Sequence, residues 1–256
     1  KIKYPFWSTQ PIFHYHYIWY WLFPNKVIHK TPPKINKYVD LQKIKIISVY
    51  DIQQQQLQDI CDFIKNNYLQ TLHYSYNPSK IDIVQYLHGS HHTSYLCVYK
   101  NPCSSDITGV TTTRALDVKL PNNKIIPTYY VDHLCVSKHF RKKYIAAKLI
   151  QTFYYVMSRQ NKKVLTYFFK KEGSLMNFVP LTKYTTYGYK ANTITSLYDT
   201  KLNNIHSHEI KQVDTTHIAD VWHFIKKNQS RYKIAVIPSF SMFKNIVEHK
   251  LYYVYF

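Results

Sequence analysis

Residues 129–150 read YYVDHLCVSKHFRKKYIAAKLI and carry the most specific chemical signal in the chain. An apolar strand runs into a turn bearing Arg141, Lys142 and Lys143, and the turn runs into a helix that opens with the small Ala146 and Ala147. Cations at a helix N-terminus join free backbone N–H groups and the positive end of the helix dipole, a combination that suits a pyrophosphate. Taken alone, the segment also reads as a solvated basic turn ahead of an ordinary amphipathic helix.

Other reactive residue types read more plainly. Cys135 and His133 share a strand face at i and i+2, a spacing that does not guarantee contact, so both read as structural. His88, His91 and His92 have no Cys or carboxylate at ligand spacing and describe a polar surface loop, so no metal is expected. His14 and His16 alternate with aromatics and belong to an N-terminal arm. Cys61, Cys97, Cys103 and Cys135 form no C-x-x-C pair and read as small buried side chains. No signal peptide precedes them, which fits a reducing, cytoplasmic compartment.

The 256 residues carry 34 Lys and Arg against 14 Asp and Glu, a formal charge of +20 that calls for an anionic partner. The basic residues are scattered as pairs such as Lys162-Lys163 and Lys170-Lys171, without a helix-turn-helix, zinc-finger or RNP signature, which argues against nucleic acid. With 26 Tyr and only 4 Gly, the composition is that of an ordered domain. Tyr, Lys, Ile and Asn are inflated evenly, as an AT-rich or viral genome would produce, so single Tyr or Lys residues carry little meaning. The apolar run 12–23 is interrupted by His14 and His16 and is too short to span a bilayer. Membrane contact is therefore peripheral at most, and the chain reads as a soluble monomer.

The elements that must position these residues follow from periodicity. Residues 1–48, rich in Pro and aromatics, describe an extended arm. A helix is predicted over 52–67, with Leu57, Ile60, Cys61 and Ile64 on one face, Asp51 as N-cap and Asn66-Asn67 as stop. A short helix is predicted over 79–87, then an antiparallel meander of strands over 94–99, 106–120 and 124–136. Helical spacing returns over 146–157 and a strand over 164–169. The stripe Phe153, Tyr154, Tyr155 reads as core and pocket wall. Beyond Tyr198 the order starts again, with a strand over 211–213, a helix over 217–228 with Ile218, Val221, Trp222 and Ile225 on one face, and a strand over 251–256. The domains expected are residues 1–198 and a partial second unit, 199–256.

A second motif joins the first: residues 4–12 read YPFWSTQPI. Together the two segments resemble the eukaryotic-type N-myristoyltransferase family, whose F-W-x-T-Q-P-V arm and N-F-L-C-V-H-K-x-L-R-x-K-R-x-A segment they match. In the second, the matching residues are Leu134, Cys135, Val136, Arg141, Lys143 and Ala146. Shorter matches are Asn66-Asn67-Tyr68, residues 74–78, residues 164–166 and Lys183-Tyr184. The resemblance implies an α/β, GNAT-like acyl-CoA N-acyltransferase fold, a mixed and mainly antiparallel sheet flanked by helices. It also implies that the chain ends roughly one strand and one helix into the second GNAT-like half.

It further implies transfer of a myristoyl group from myristoyl-CoA to the N-terminal glycine amine of a peptide by direct attack on the thioester. Tyr4, Pro5, Phe6 and Trp7 would line the coenzyme end, and Leu134, Cys135 and Val136 would pair with the pantetheine arm. Arg141, Lys142, Lys143, Tyr144, Ile145 and Ala146 would hold the pyrophosphate. Backbone N–H groups of His133 and Leu134 would form the oxyanion hole, which needs donors at a bulged strand. Tyr68, Leu69, Leu72, Tyr74, Tyr76, Thr166 and Tyr184 would contact the peptide.

Three departures stand out. Asp132 replaces a family Asn, and Thr186 falls where the family has a His. Gln70-Thr71-Leu72 replaces an acidic cluster that attracts basic peptides, which implies a different or narrower set of peptides. The family's base is the chain's own terminal carboxylate, so Asp132 and the carboxylate of Phe256 are the candidates here. The alternative from another class is a non-catalytic acyl-CoA-binding or lipid-sensing module; a basic nucleic-acid-binding protein is a distant third.

Overall fold

A segment rich in β-branched residues, ITGVTTTRALDVK, makes the longest strand among the described residues, and the other strands are arranged around it. The computed structural model describes residues 5–23, 28, 31–70, 75–164, 166–171, 178–185, 187 and 211–256. In chain order the elements are α1 (Ile18–Leu22), β1 (Ile44–Ser48), α2 (Gln54–Asn67), α3 (Lys80–Val84), β2 (Tyr95–Lys100), β3 (Ile107–Lys119), β4 (Ile125–Val136), α4 (Ile145–Gln160), β5 (Thr166–Phe169), α5 (Ile218–Asn228), β6 (Ala235–Ile237) and α6 (Phe240–Glu248). The strands form one sheet in the order β1-β2-β3-β4-β5, with β6 also paired to β3. All pairs are antiparallel except β4 with β5, which is parallel.

The sheet is covered on both faces because its strands alternate. Leu96, Val98 and Val110 point to one side, where they pack with Leu57, Ile60 and Ile64 of α2 and with Ile83 of α3. Cys97, Tyr99 and Tyr129 point to the other, against Ile145, Leu149, Phe153 and Met157 of α4. Gly109 sets how closely α4 approaches. A Cβ there would stand 2.7 Å from Ile145 Cγ2 and 3.2 Å from Leu149 Cδ1, so no larger residue fits under the start of the helix.

The arm is anchored rather than free. Phe6 and Tyr38 pack with Ala147 and Ile150 of α4. The Gln10 amide donates to Gln151 Oε1 at 2.8 Å in a buried pair, and Lys148 Nζ meets Asp40 Oδ2 at 2.8 Å. Burial works against ionisation of Asp40, but the Lys148 hydrogen bond and the Lys43 backbone amide outweigh it and hold the carboxyl below its ordinary range.

Several local expectations are corrected. β1 lies inside the stretch read as arm, because its five residues include a Lys and follow a proline-rich run. Gln53, in extended conformation and without a side-chain cap bond, precedes α2, so Asp51 is not the N-cap. His92 is no loose loop residue: its Nε2 shares a 3.0 Å hydrogen bond with the Thr128 carbonyl. His14 is buried. Strand β6 and helix α6, neither of them predicted, bring residues 235–248 onto the main sheet. There the Ser239 hydroxyl donates to the Gly89 carbonyl and Asn245 Nδ2 donates to the Gln85 carbonyl at 2.7 Å. The expected terminal strands are short, meeting at a Gln212–Tyr255 bridge.

Candidate active site

The pairing of β3 with β4 slips by one residue where the chemistry is expected. Val110 faces Cys135 and Thr112 faces Asp132, so the single Thr111 opposes both His133 and Leu134 in a β-bulge. His133 takes a positive φ of 47°, a conformation that costs a non-glycine residue about 1–2 kcal/mol. The Thr111 hydroxyl helps hold it by donating to the Asp132 carbonyl at 2.9 Å.

The side chains at the bulge are interlocked. Asp132 Oδ1 accepts the His133 backbone N–H at 2.8 Å and the Tyr68 hydroxyl at 3.3 Å. The buried His133 ring shares a 2.9 Å hydrogen bond between Nδ1 and the Thr112 hydroxyl. It lies between the rings of Tyr68, edge-on at 5.2 Å, and Tyr76, stacked at 6.0 Å. Burial lowers its pKa; Asp132 pulls the other way and Arg114 reinforces the drop, so the imidazole is neutral at neutral pH.

Two cavities and a cleft meet around this bulge. The first, of about 910 Å³, is walled by Pro5, Phe6 and Trp7 of the arm, by Leu134, Cys135 and Val136 of β4, and by Tyr68 and Leu69 after α2. Its far end is the turn into α4, with Arg141, Lys142, Tyr144, Ile145 and Ala146. Lys142 and Tyr144 both hold positive φ, 63° and 59°, in the turn that leads into the N-terminus of α4. Such a turn directs backbone N–H groups into a concavity that favours anions, and the helix dipole adds to it. Arg141 is steadied by donating Nε–H to the Val136 carbonyl at 3.3 Å.

The second cavity, of about 780 Å³, shares Trp7 and Ile150 with the first and is mainly apolar, with Ile126, Val131, Phe153, Tyr154 and Phe169 in its walls. On the other side of the bulge lies the cleft, about 210 Å³, lined by Tyr76, Asp82, Tyr86, Thr112, Arg114, Asp132, His133 and Tyr252. The bulge thus turns Leu134 toward the first cavity and His133 toward the cleft.

Cys135 is no nucleophile in this setting. Burial pushes its thiol up to about 12, and Arg141 offsets only part of that rise.

No protein-family model and no curated protein matches the chain by sequence. Solved structures do match by shape. The N-myristoyltransferase of Saccharomyces cerevisiae with bound myristoyl-CoA superposes with a TM-score of 0.64 at 17% identity, over 95% of this chain and 62% of that one. The fold is that of the N-myristoyltransferases. Two further structures of the yeast enzyme, one with myristoyl-CoA and inhibitors and one with myristoyl-CoA, give TM-scores of 0.62 and 0.61 at 16% and 17% identity. They are matched over 95% and 96% of this chain and 60% and 59% of theirs, so the chain spans about 60% of the length of these neighbours.

Within this N-myristoyltransferase fold the residues singled out by sequence are distributed as follows. Pro5, Phe6, Trp7, Leu134, Cys135, Val136, Arg141, Lys142, Tyr144, Ile145 and Ala146 share the first cavity, as do Tyr68 and Leu69. Lys143 does not line it; its ammonium sits 4.8 Å over the Phe140 ring. Tyr76, Asp132 and His133 share the cleft. Thr166 lies apart from them, in the apolar cavity. Tyr184 is exposed, its ring 5.8 Å from the Lys170 ammonium. Phe256 pairs with Lys211 and packs 4.9 Å from the His217 ring, and it lines neither cavity nor the cleft. Tyr4, Leu72, Tyr74 and Thr186 lie outside the described residues.

Sequence reasoning passed over Thr112, Arg114, Tyr86 and Tyr252 of the cleft. A cation in the middle of an otherwise buried strand was a legible signal for Arg114. Tyr252 comes from the far end of the chain and carries no local mark. Among the described residues, no group of three or more His, Cys, Asp or Glu is placed to hold a metal ion, and no helix is long and apolar enough to cross a membrane.

Proposed function

We propose that the protein binds a long-chain acyl-CoA, with myristoyl-CoA as donor, and transfers the acyl group directly to the N-terminal glycine amine of a peptide or protein. One observation carries this reading. A cavity with an anion-suited turn at one end reaches a β-bulge at the other, and an apolar chamber adjoins it. The pyrophosphate would lie at Arg141 and Lys142, the pantetheine along Leu134 to Val136, and the acyl chain in the apolar chamber. The thioester would then stand at the bulge, where the Leu134 and His133 N–H groups can polarise its carbonyl.

The acceptor amine would arrive from the cleft, opposite the donor. Asp132 attracts the ammonium and takes its proton, and the neutral amine attacks the thioester carbonyl. The tetrahedral intermediate collapses as the C–S bond breaks, and the departing coenzyme A thiolate takes the nitrogen's surplus proton to leave the amide and the free thiol. Tyr68 holds Asp132 in place through its hydroxyl. Neutral His133 adds no positive charge to repel the ammonium. The unreactive Cys135 thiol supports transfer without an acyl-enzyme. In this reading residues 1–198 are the donor-binding unit, 199–256 begin a second GNAT-like half, and the reaction takes place in the cytoplasm.

The Asp132–His133 bond also favours a second reading, a non-catalytic acyl-CoA-binding module, because it occupies one of the two proposed oxyanion donors. Titration with a non-hydrolysable myristoyl-CoA analogue, followed by thiol release from myristoyl-CoA with a glycine-initiated peptide, separates the two. Binding with peptide-dependent release establishes the transferase. Binding without release establishes the module, and no binding overturns both.

A further inference from the structure

Arg114 is the one charged residue between Ile107 and Leu116 of β3. Strand alternation puts it on the face of Thr112, hence on the side of His133, and it lines the cleft. Its guanidinium carbon lies 5.2 Å from the centre of the Tyr86 ring and 5.3 Å from that of Tyr130, so the planar group is clamped between aromatic neighbours. Its Nε is buried and has no hydrogen-bond partner.

No carboxylate among the described residues lies within ion-pair distance of this guanidinium. The two carboxylates that line the cleft are engaged elsewhere. Asp132 Oδ1 holds the His133 N–H and the Tyr68 hydroxyl, and Asp82 Oδ2 accepts the Ser79 N–H in the capping box of α3. A partly buried cation with an unmet donor is costly until a partner arrives. The fork of a guanidinium matches the two oxygens of a carboxylate.

We propose that Arg114 is a specificity-determining residue of the acceptor site and takes a carboxylate of the incoming acceptor. This rests on the acyl-transfer reading above and names its substrate class. Arg114 stands two residues along the strand from Thr112, roughly 7 Å, and Thr112 holds His133 at the bulge. The carboxylate therefore belongs within two or three residues of the reacting amine. An acidic side chain at the second or third residue supplies one, and so does the free C-terminus of a di- or tripeptide.

The test is equilibrium binding of matched glycine-initiated peptides to the full chain, with and without the non-hydrolysable myristoyl-CoA analogue. One series compares Asp with Asn at the second and third positions of amidated octapeptides. The other compares Gly-Ala-Ala as free acid and as amide. Loss of a charge-assisted hydrogen bond corresponds to roughly 10- to 100-fold in affinity, and the acid is expected to bind that much more tightly in at least one series, which identifies the source. Arg114→Gln is expected to erase the preference and Arg114→Lys to keep part of it. Equal binding of acid and amide by the unsubstituted protein overturns the proposal without any variant, as does a preference that survives in folded Arg114→Gln. The analogue's own isotherm reports separately on the acyl-CoA reading. An Arg114-dependent preference seen without analogue binding supports the carboxylate site while that reading fails.

Discussion

The Asp132 carboxylate accepts the backbone N–H of His133, the residue next to it, across 2.8 Å. One side chain thus occupies a donor that a thioester oxygen would use and also lines the cleft, where it is the base proposed above. In the acyl-transfer reading proposed above, an ammonium entering the cleft would compete for that carboxylate and free the amide. Donor activation would then depend on the presence of an acceptor.

Replacing Asp132 with Asn removes the proposed base and keeps the shape. Peptide-dependent thiol release is expected to fall by about 100-fold or more, with donor binding unchanged. Stopped-flow detection of the thiol checks this, and an unchanged rate would place the base elsewhere.

Arg141→Ala and Lys142→Ala each remove one cation from the turn before α4. Each is expected to weaken binding of the myristoyl-CoA analogue about tenfold and to flatten its salt dependence. Titrations at low and high ionic strength test this; equal affinity in the variants would move the pyrophosphate away from this turn.

Cys135→Ala is expected to leave transfer intact, because a thiol pushed up to about 12 is almost wholly protonated at neutral pH. Iodoacetamide at pH 8 is expected to label the exposed Cys103 well before the buried Cys135. Mass spectrometry of the labelled peptides gives the order.

The sheet was legible in the sequence because β2, β3 and β4 are runs of β-branched, aromatic and apolar residues that break at Asn101-Pro102 and Pro121-Asn122-Asn123. The first cavity was legible because its walls come from two contiguous motifs, residues 5–7 and 134–146. The cleft was not, since it gathers Tyr76 and Tyr86, Arg114, and Tyr252 from three distant segments, and only folding brings them together. β6 escaped because three residues of alternating burial carry no periodic signal.

Gln151→Leu removes the nearer acceptor of the buried Gln10 amide and leaves it only the Thr9 hydroxyl at 3.5 Å. The expected cost is about 1–3 kcal/mol, read as a melting temperature several degrees lower and as faster proteolysis within residues 5–23. A variant as stable as the parent would show that the arm is held by its other anchors, Phe6, Tyr38 and the Asp40–Lys148 pair.

His133 carries a pH signature. Its folded-state pKa is lowered, chiefly by burial, so the unfolded chain binds a proton at higher pH than the native one. The stability is fully present above the unfolded value near 6.5 and is lost as pH falls through the lower, folded value. His133→Gln is expected to flatten the denaturation midpoint between neutral pH and about 5. A parent profile without that slope would contradict the burial argument.

β3 is longer than any one neighbour on its outer side. β2 covers residues 107–113, Ser94 accepts the Ala115 N–H and Ser90 donates to the Ala115 carbonyl, and β6 takes residues 117–119. Two separate stretches of chain, residues 90–100 and 235–237, thus seal a single edge. The second is the shorter and far away in sequence, so its release would offer another molecule a ready-made template for pairing. Residues 235–237 therefore cover strand groups of β3 that no other described strand reaches on that side.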